Sequence, residues 1–67
     1  MTVMYFGGIK YLVEQIENDR NGITIVNIVT PDSSSRLVAT KDIKENYWLL
    51  SNGQRFEEGE TWIKEEI

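Results

Sequence analysis

The run Ile23-Thr24-Ile25-Val26-Asn27-Ile28-Val29-Thr30 constrains this chain more than any other segment, because seven of its eight residues are β-branched. Such side chains lose rotamer freedom in a helix and pack well on a pleated surface, so the run reads as a strand. Large apolar residues fall on both of its faces, the pattern of a central strand covered on both sides. A chain of 67 residues has room for one core around such a strand, and residues 1–67 read as a single domain.

Other strands follow from local signals. Met1 to Phe6 is rich in aromatic and β-branched residues and is broken by Gly7-Gly8. Pro31-Asp32-Ser33-Ser34-Ser35 is a turn, and Arg36 to Lys41 is a strand with Leu37 and Ala39 on one face and Val38 on the other. Asp42 to Glu45 is a polar turn. Asn46 to Ser51 and Gln54 to Glu57 form a hairpin around Asn52-Gly53, the dipeptide suited to a two-residue type I′ turn. That turn sets Leu50 against Arg55, Leu49 against Phe56 and Trp48 against Glu57, with Tyr47, Leu49 and Phe56 on the core side. Gly59 ends the hairpin, and Thr61 to Glu65 adds an edge-like strand whose charges discourage open-ended pairing.

The segment from Ile9 to Asn21 reads differently. Ile9, Leu12, Val13 and Ile16 fall at i, i+3, i+4 and i+7, one face of a helix, whereas simple alternation leaves Leu12 and Ile16 on the wrong side. Asn21-Gly22 supplies a C-terminal stop. The expected architecture is therefore α+β: one helix over about residues 9–19, packed on an antiparallel sheet of four to five strands. The alternative is an all-β, half jelly-roll-like meander.

The stretch Tyr47-Trp48-Leu49-Leu50-Ser51-Asn52-Gly53-Gln54-Arg55-Phe56, preceded by Arg36-Leu37-Val38-Ala39-Thr40, resembles strand repeats in the periplasmic jelly-roll of lipopolysaccharide-export permeases. There an Ala-containing strand is followed by a W-x-L-x-N-G-x-x-F/Y hairpin. The resemblance spans residues 36–56 and implies a β-rich structural segment of a larger assembly.

Composition removes several chemistries. The chain has no Cys and no His. Disulfides, thiolate metal sites, zinc centres and Cys/His or Ser/His nucleophilic catalysis are closed off, and Ser33, Ser34 and Ser35 have no histidine to activate them. The lack of disulfides points to a reducing, cytoplasmic setting. No segment has the pattern of a signal peptide or a membrane helix. Glu17 to Gly22 imitates the start of a calcium loop, but its twelfth position is Ile28 where a bidentate glutamate is needed. It reads instead as a helix end running into a turn. No metal and no cofactor are expected.

The distribution of charge is the remaining signal. Residues 1–56 carry six acids and six bases, and the net charge of −4 resides in residues 57–67, where Glu57, Glu58, Glu60, Glu65 and Glu66 face only Lys64. The bases are scattered, which disfavours direct nucleic-acid binding. Trp62 lies amid the acids, and Trp48 is a second candidate anchor, since aromatics flanked by charge are typical of protein interfaces. The expected function is a small acidic, non-enzymatic protein-binding module, such as a phage or mobile-element inhibitor that occupies a basic, nucleic-acid-binding surface of a target protein. Homodimerisation through an edge strand or an uncovered sheet face is a further expectation.

Overall fold

In the computed structural model, which describes residues 1–67, the β-branched run forms the middle of one antiparallel sheet. The strands are β1 (Thr2–Phe6), β2 (Ile9–Asn18), β3 (Ile23–Val29), β4 (Arg36–Asp42), β5 (Tyr47–Leu50), β6 (Arg55–Glu57) and β7 (Thr61–Glu65), with a 3-10 turn, Glu58–Glu60, before the last. Their order is β6-β5-β4-β3-β2-β1-β7. Each strand from β1 to β6 pairs with its sequence neighbour, and β7 returns to the free side of β1. The sheet curls into a half-barrel. Phe56 near one edge reaches Phe6 at a ring separation of 5.4 Å, although four strands lie between their own.

The expected helix is not formed; residues 9–18 are the long strand β2. The reason lies in a β-bulge between Val13 and Gln15, which inserts Glu14 as an unpaired residue. A bulge shifts the inside–outside alternation by one position. Tyr11 and Val13 point into the curl, and beyond the bulge Ile16 returns to the same side, opposite Val26. The apolar spacing 9, 11, 13, 16 of a bulged strand overlaps the 9, 12, 13, 16 spacing of a helix. The fold is therefore seven-stranded and nearly all β, and the α+β assignment with four to five strands is overturned. Asp19, expected to end a helix, instead closes the β2–β3 turn, its Oδ1 accepting the Asn21 and Ile23 N–H groups at 2.8 and 3.0 Å.

The hairpin register also differs from expectation by one residue. Leu50 N–H donates to the Gln54 carbonyl (2.8 Å) and Gly53 N–H to the Leu50 carbonyl (2.9 Å), which makes a three-residue loop, Ser51-Asn52-Gly53. Only Gly53 takes positive φ (+92°), whereas a type I′ turn demands it of Asn52 as well. Asn52 uses its side chain instead, accepting the Gln54 N–H at 3.0 Å. The pairs are Trp48↔Phe56 and Leu49↔Arg55. A one-residue slip exchanges faces, so Trp48, Leu50 and Phe56 point inward while Leu49 lies on the convex face, 45% exposed.

The core lines the concave side. Met4 and Phe6 come from β1, Tyr11 from β2, Val26 and Ile28 from β3, Ala39 from β4, and Trp48 and Leu50 from β5. Phe6 is the hub, meeting Tyr11 and Trp48 edge-on at 5.6 and 6.0 Å. Such aromatic pairs add about 0.5–1.5 kcal/mol each beyond area burial. Gly7 allows a close approach across the curl. Its φ is +59°, and a Cβ there would stand 3.0 Å from Phe56 Cε1. The convex side has no second layer, so β3 is central in the sheet but covered on one face only. Val26 and Ile28 are buried, while Ile23, Ile25 and Val29 are half-buried.

Candidate protein-interaction surface

The edge strand β7 forms as expected at Thr61–Glu65, and its position organises the acidic residues. Met1 and Glu66 exchange backbone hydrogen bonds (2.7 and 2.8 Å), and Gly7 N–H donates to the Glu60 carbonyl (3.0 Å). Antiparallel pairs alternate, so the backbone groups of Trp62 and Lys64 also face β1. Those of Ile63 and Glu65 face outward, as does the Thr61 carbonyl. One side of β7 is therefore an open row of donors and acceptors.

The five glutamates divide between the two ends of this strand, about 16 Å apart at the usual strand rise. Glu65 and Glu66 are held at the far end. Glu65 accepts hydrogen bonds from Thr2 Oγ1 (2.7 Å) and the Met1 amino group (3.0 Å), and these interactions hold its carboxyl below the usual range. Glu66 accepts from Lys10 Nζ (2.7 Å) and Tyr5 Oη (3.4 Å). The Lys10 hydrogen bond lowers the Glu66 pKa and raises that of Lys10. These two carboxylates tie β7 to β1 and β2. At the near end, Glu57 and Glu58 have only distant partners, Arg55 and Lys41, each at 3.8 Å, and Glu60 makes no ion pair. Arg55 itself lies over the Tyr47 ring, 3.8 Å from its centre.

The two tryptophans part company. Trp48 is 7% exposed and belongs to the core, so its side chain is not presented to a partner. Trp62 is 49% exposed and stacks on Tyr5 at 4.8 Å with the rings 14° apart. This stack fixes the exposed ring in one orientation beside Glu58 and Glu60 in the chain. Local sequence gave no sign of Tyr5, because the contact is made across the β1–β7 register. Ile63, which the sequence reading did not single out, is 48% exposed and lies opposite Met4, on the concave side of the sheet edge.

A second exposed region lies on the convex side, where Val38 and Leu49 are exposed beside a shallow dent lined by Ile23, Thr40 and Tyr47. No three carboxylates converge as a metal site would require. No helix is long and apolar enough to cross a membrane. Neither a family model, a curated protein nor a solved structure matches the chain.

Proposed function

We propose that this chain is a non-enzymatic protein-binding module that offers Trp62, with Glu57, Glu58 and Glu60, to a basic surface on another protein. The observation that carries the reading is the Tyr5–Trp62 stack, a half-exposed aromatic held in place on the strand that follows Glu57, Glu58 and Glu60, carboxylates that lack close cationic partners. An anchor ordered before contact loses little side-chain entropy on binding. The surrounding negative charge would steer encounter with a cationic patch. A nucleic-acid-binding groove is one such patch, and occupation of it by carboxylates in place of phosphates is the mode of an inhibitor.

Capture of the partner from a host lysate at low and high salt, followed by binding kinetics, tests this. Replacing Glu57, Glu58 and Glu60 together by Gln should slow association and flatten its salt dependence, because long-range attraction is screened beyond about 8 Å at physiological salt. Trp62→Ala should instead speed dissociation. Unchanged rates in the triple variant at every salt concentration would remove the reading.

The all-β fold and its open edges favour a second reading, a structural segment that continues into a longer sheet. Partner association insensitive to salt would support it over acidic docking.

A further inference from the structure

The open side of β7 has a sequence that complements itself. Residues whose backbone faces outward are Thr61, Ile63 and Glu65, so an antiparallel copy related by a two-fold axis must set odd-numbered residues against odd-numbered ones. Four registers use that row, but the one centred on Trp62 pairs only Thr61 with Ile63. Because the Thr61 N–H is taken by the 3-10 turn, that register forms a single hydrogen bond at each of its two symmetric pairs. Centred on Glu65, the pairing places two carboxylates in opposition; centred on Lys64, two ammonium groups. Centred on Ile63, it places Ile63 against Ile63, Trp62 against Lys64 and Thr61 against Glu65, with no like charges opposed among the five residues. Like charges directly opposite destabilise a strand pair, and an aliphatic pair or a cation over an indole stabilises it. The register centred on Ile63 is also the one that sets this half-exposed aliphatic side chain against another apolar one. Pairing ends where the 3-10 turn closes the strand, at Thr61, whose N–H is directed to that turn and whose hydroxyl donates to the Glu58 carbonyl at 3.0 Å.

We propose that β7 pairs with β7 of a second copy of this chain in that register, joining two half-barrels into one continuous sheet. The contact is short, five residues from each side, which places the dimer among weak, concentration-dependent associations. Each copy carries a net charge of −4, so salt strengthens the dimer by screening the repulsion between copies. This is opposite in sign to the salt response of docking on a basic partner, and the two proposals stand or fall separately.

Sedimentation equilibrium over about 10 μM to 1 mM, affinities typical of short interfaces, reads the outcome at low and high salt. The apparent mass should rise from 7.8 kDa towards twice that value, more readily at high salt. Ile63→Glu and Ile63→Lys should each raise the dissociation constant about ten-fold or more. Mixed together, the two variants should restore association, since the register sets residue 63 against its own copy. In the wild type, concentration-dependent amide shifts should centre on β7, a readout independent of any substitution. A wild type that stays at 7.8 kDa throughout overturns the proposal. So does a dimer indifferent to Ile63→Glu, a mixture no tighter than either variant alone, or concentration-dependent shifts confined to the convex face.

Discussion

Replacing Leu50 and Leu49 separately by Ala distinguishes the observed hairpin register from the neighbouring one. Leu50 is 2% exposed and packs within the concave core. Emptying a fully buried leucine site costs about 2–5 kcal/mol, the spread reflecting how far the surroundings relax. The core here is a single layer inside a curl with two open edges, so the lower part of that range, about 2–4 kcal/mol, applies. A chain of this length has a total stability of roughly 3–10 kcal/mol, so Leu50→Ala removes a large fraction of it. Leu49 keeps nearly half of its surface in water, and its truncation forfeits about 0.5–1.5 kcal/mol of transfer energy. Urea unfolding followed by the fluorescence of buried Trp48 measures both. With an m-value of about 1 kcal/mol/M, Leu50→Ala should lower the midpoint by about 2 M or more and Leu49→Ala by about 1 M. A larger loss for Leu49→Ala would refute the three-residue loop and turn Tyr47 and Leu49 inward.

Further expectations follow from individual contacts. Gly53→Ala meets no atom within 4 Å and should cost about 1 kcal/mol through its positive φ alone, whereas Gly7→Ala adds a 3.0 Å approach to Phe56 and should cost more in the same assay. Acrylamide should quench Trp62 and spare Trp48, so Trp62→Phe removes the quenchable emission. The lowered carboxyls of Glu65 and Glu66 favour the folded state above the ordinary value of 4.5, and that contribution disappears as pH falls through their folded values; Glu66→Gln should flatten the acid limb of a melting-temperature profile. Lys10 has the opposite sign: its raised pKa contributes below 10.5 and is lost as pH rises through the folded value, so Lys10→Met should flatten the alkaline limb. Asp32, held down to about 2 by hydrogen bonds from Ser34 and Thr30, should keep its carbon shifts unchanged until the most acidic end of a titration.

The strands with a single unambiguous period were legible in the sequence. β1, β3, β4 and β7 lie within a residue or two of where their composition put them. β2 was not, because one unpaired residue at Glu14 gives a strand the spacing of a helical face, and nothing local distinguishes the two. What decides is tertiary: Tyr11 and Val13 complete the wall around Phe6 and Ile28 only if the segment is extended. The hairpin was located but mis-registered for a similar reason. Asn-Gly fits both a two-residue and a three-residue loop, and the choice is made by the need to bring Trp48 and Phe56 together beside Phe6. Of the residues grouped as acidic, Glu57, Glu58 and Glu60 lie at the chain segment leading into β7, with Trp62 the second residue of that strand. Glu65 and Glu66 are taken up by Thr2 and Lys10, partners more than 50 positions away in the chain that local patterning does not show.

Amide hydrogen exchange along β7 tests the central claim, that this strand is held by β1 on one side and open to a partner on the other. In dilute protein the Trp62 and Lys64 amides should be protected and the Ile63 and Glu65 amides should exchange freely. On association, with a second copy or a captured partner that engages this edge, Ile63 and Glu65 should gain protection while the remaining strands keep theirs. Protection of Ile63 and Glu65 in the dilute protein, or association that leaves both amides exchanging as before, would contradict the account.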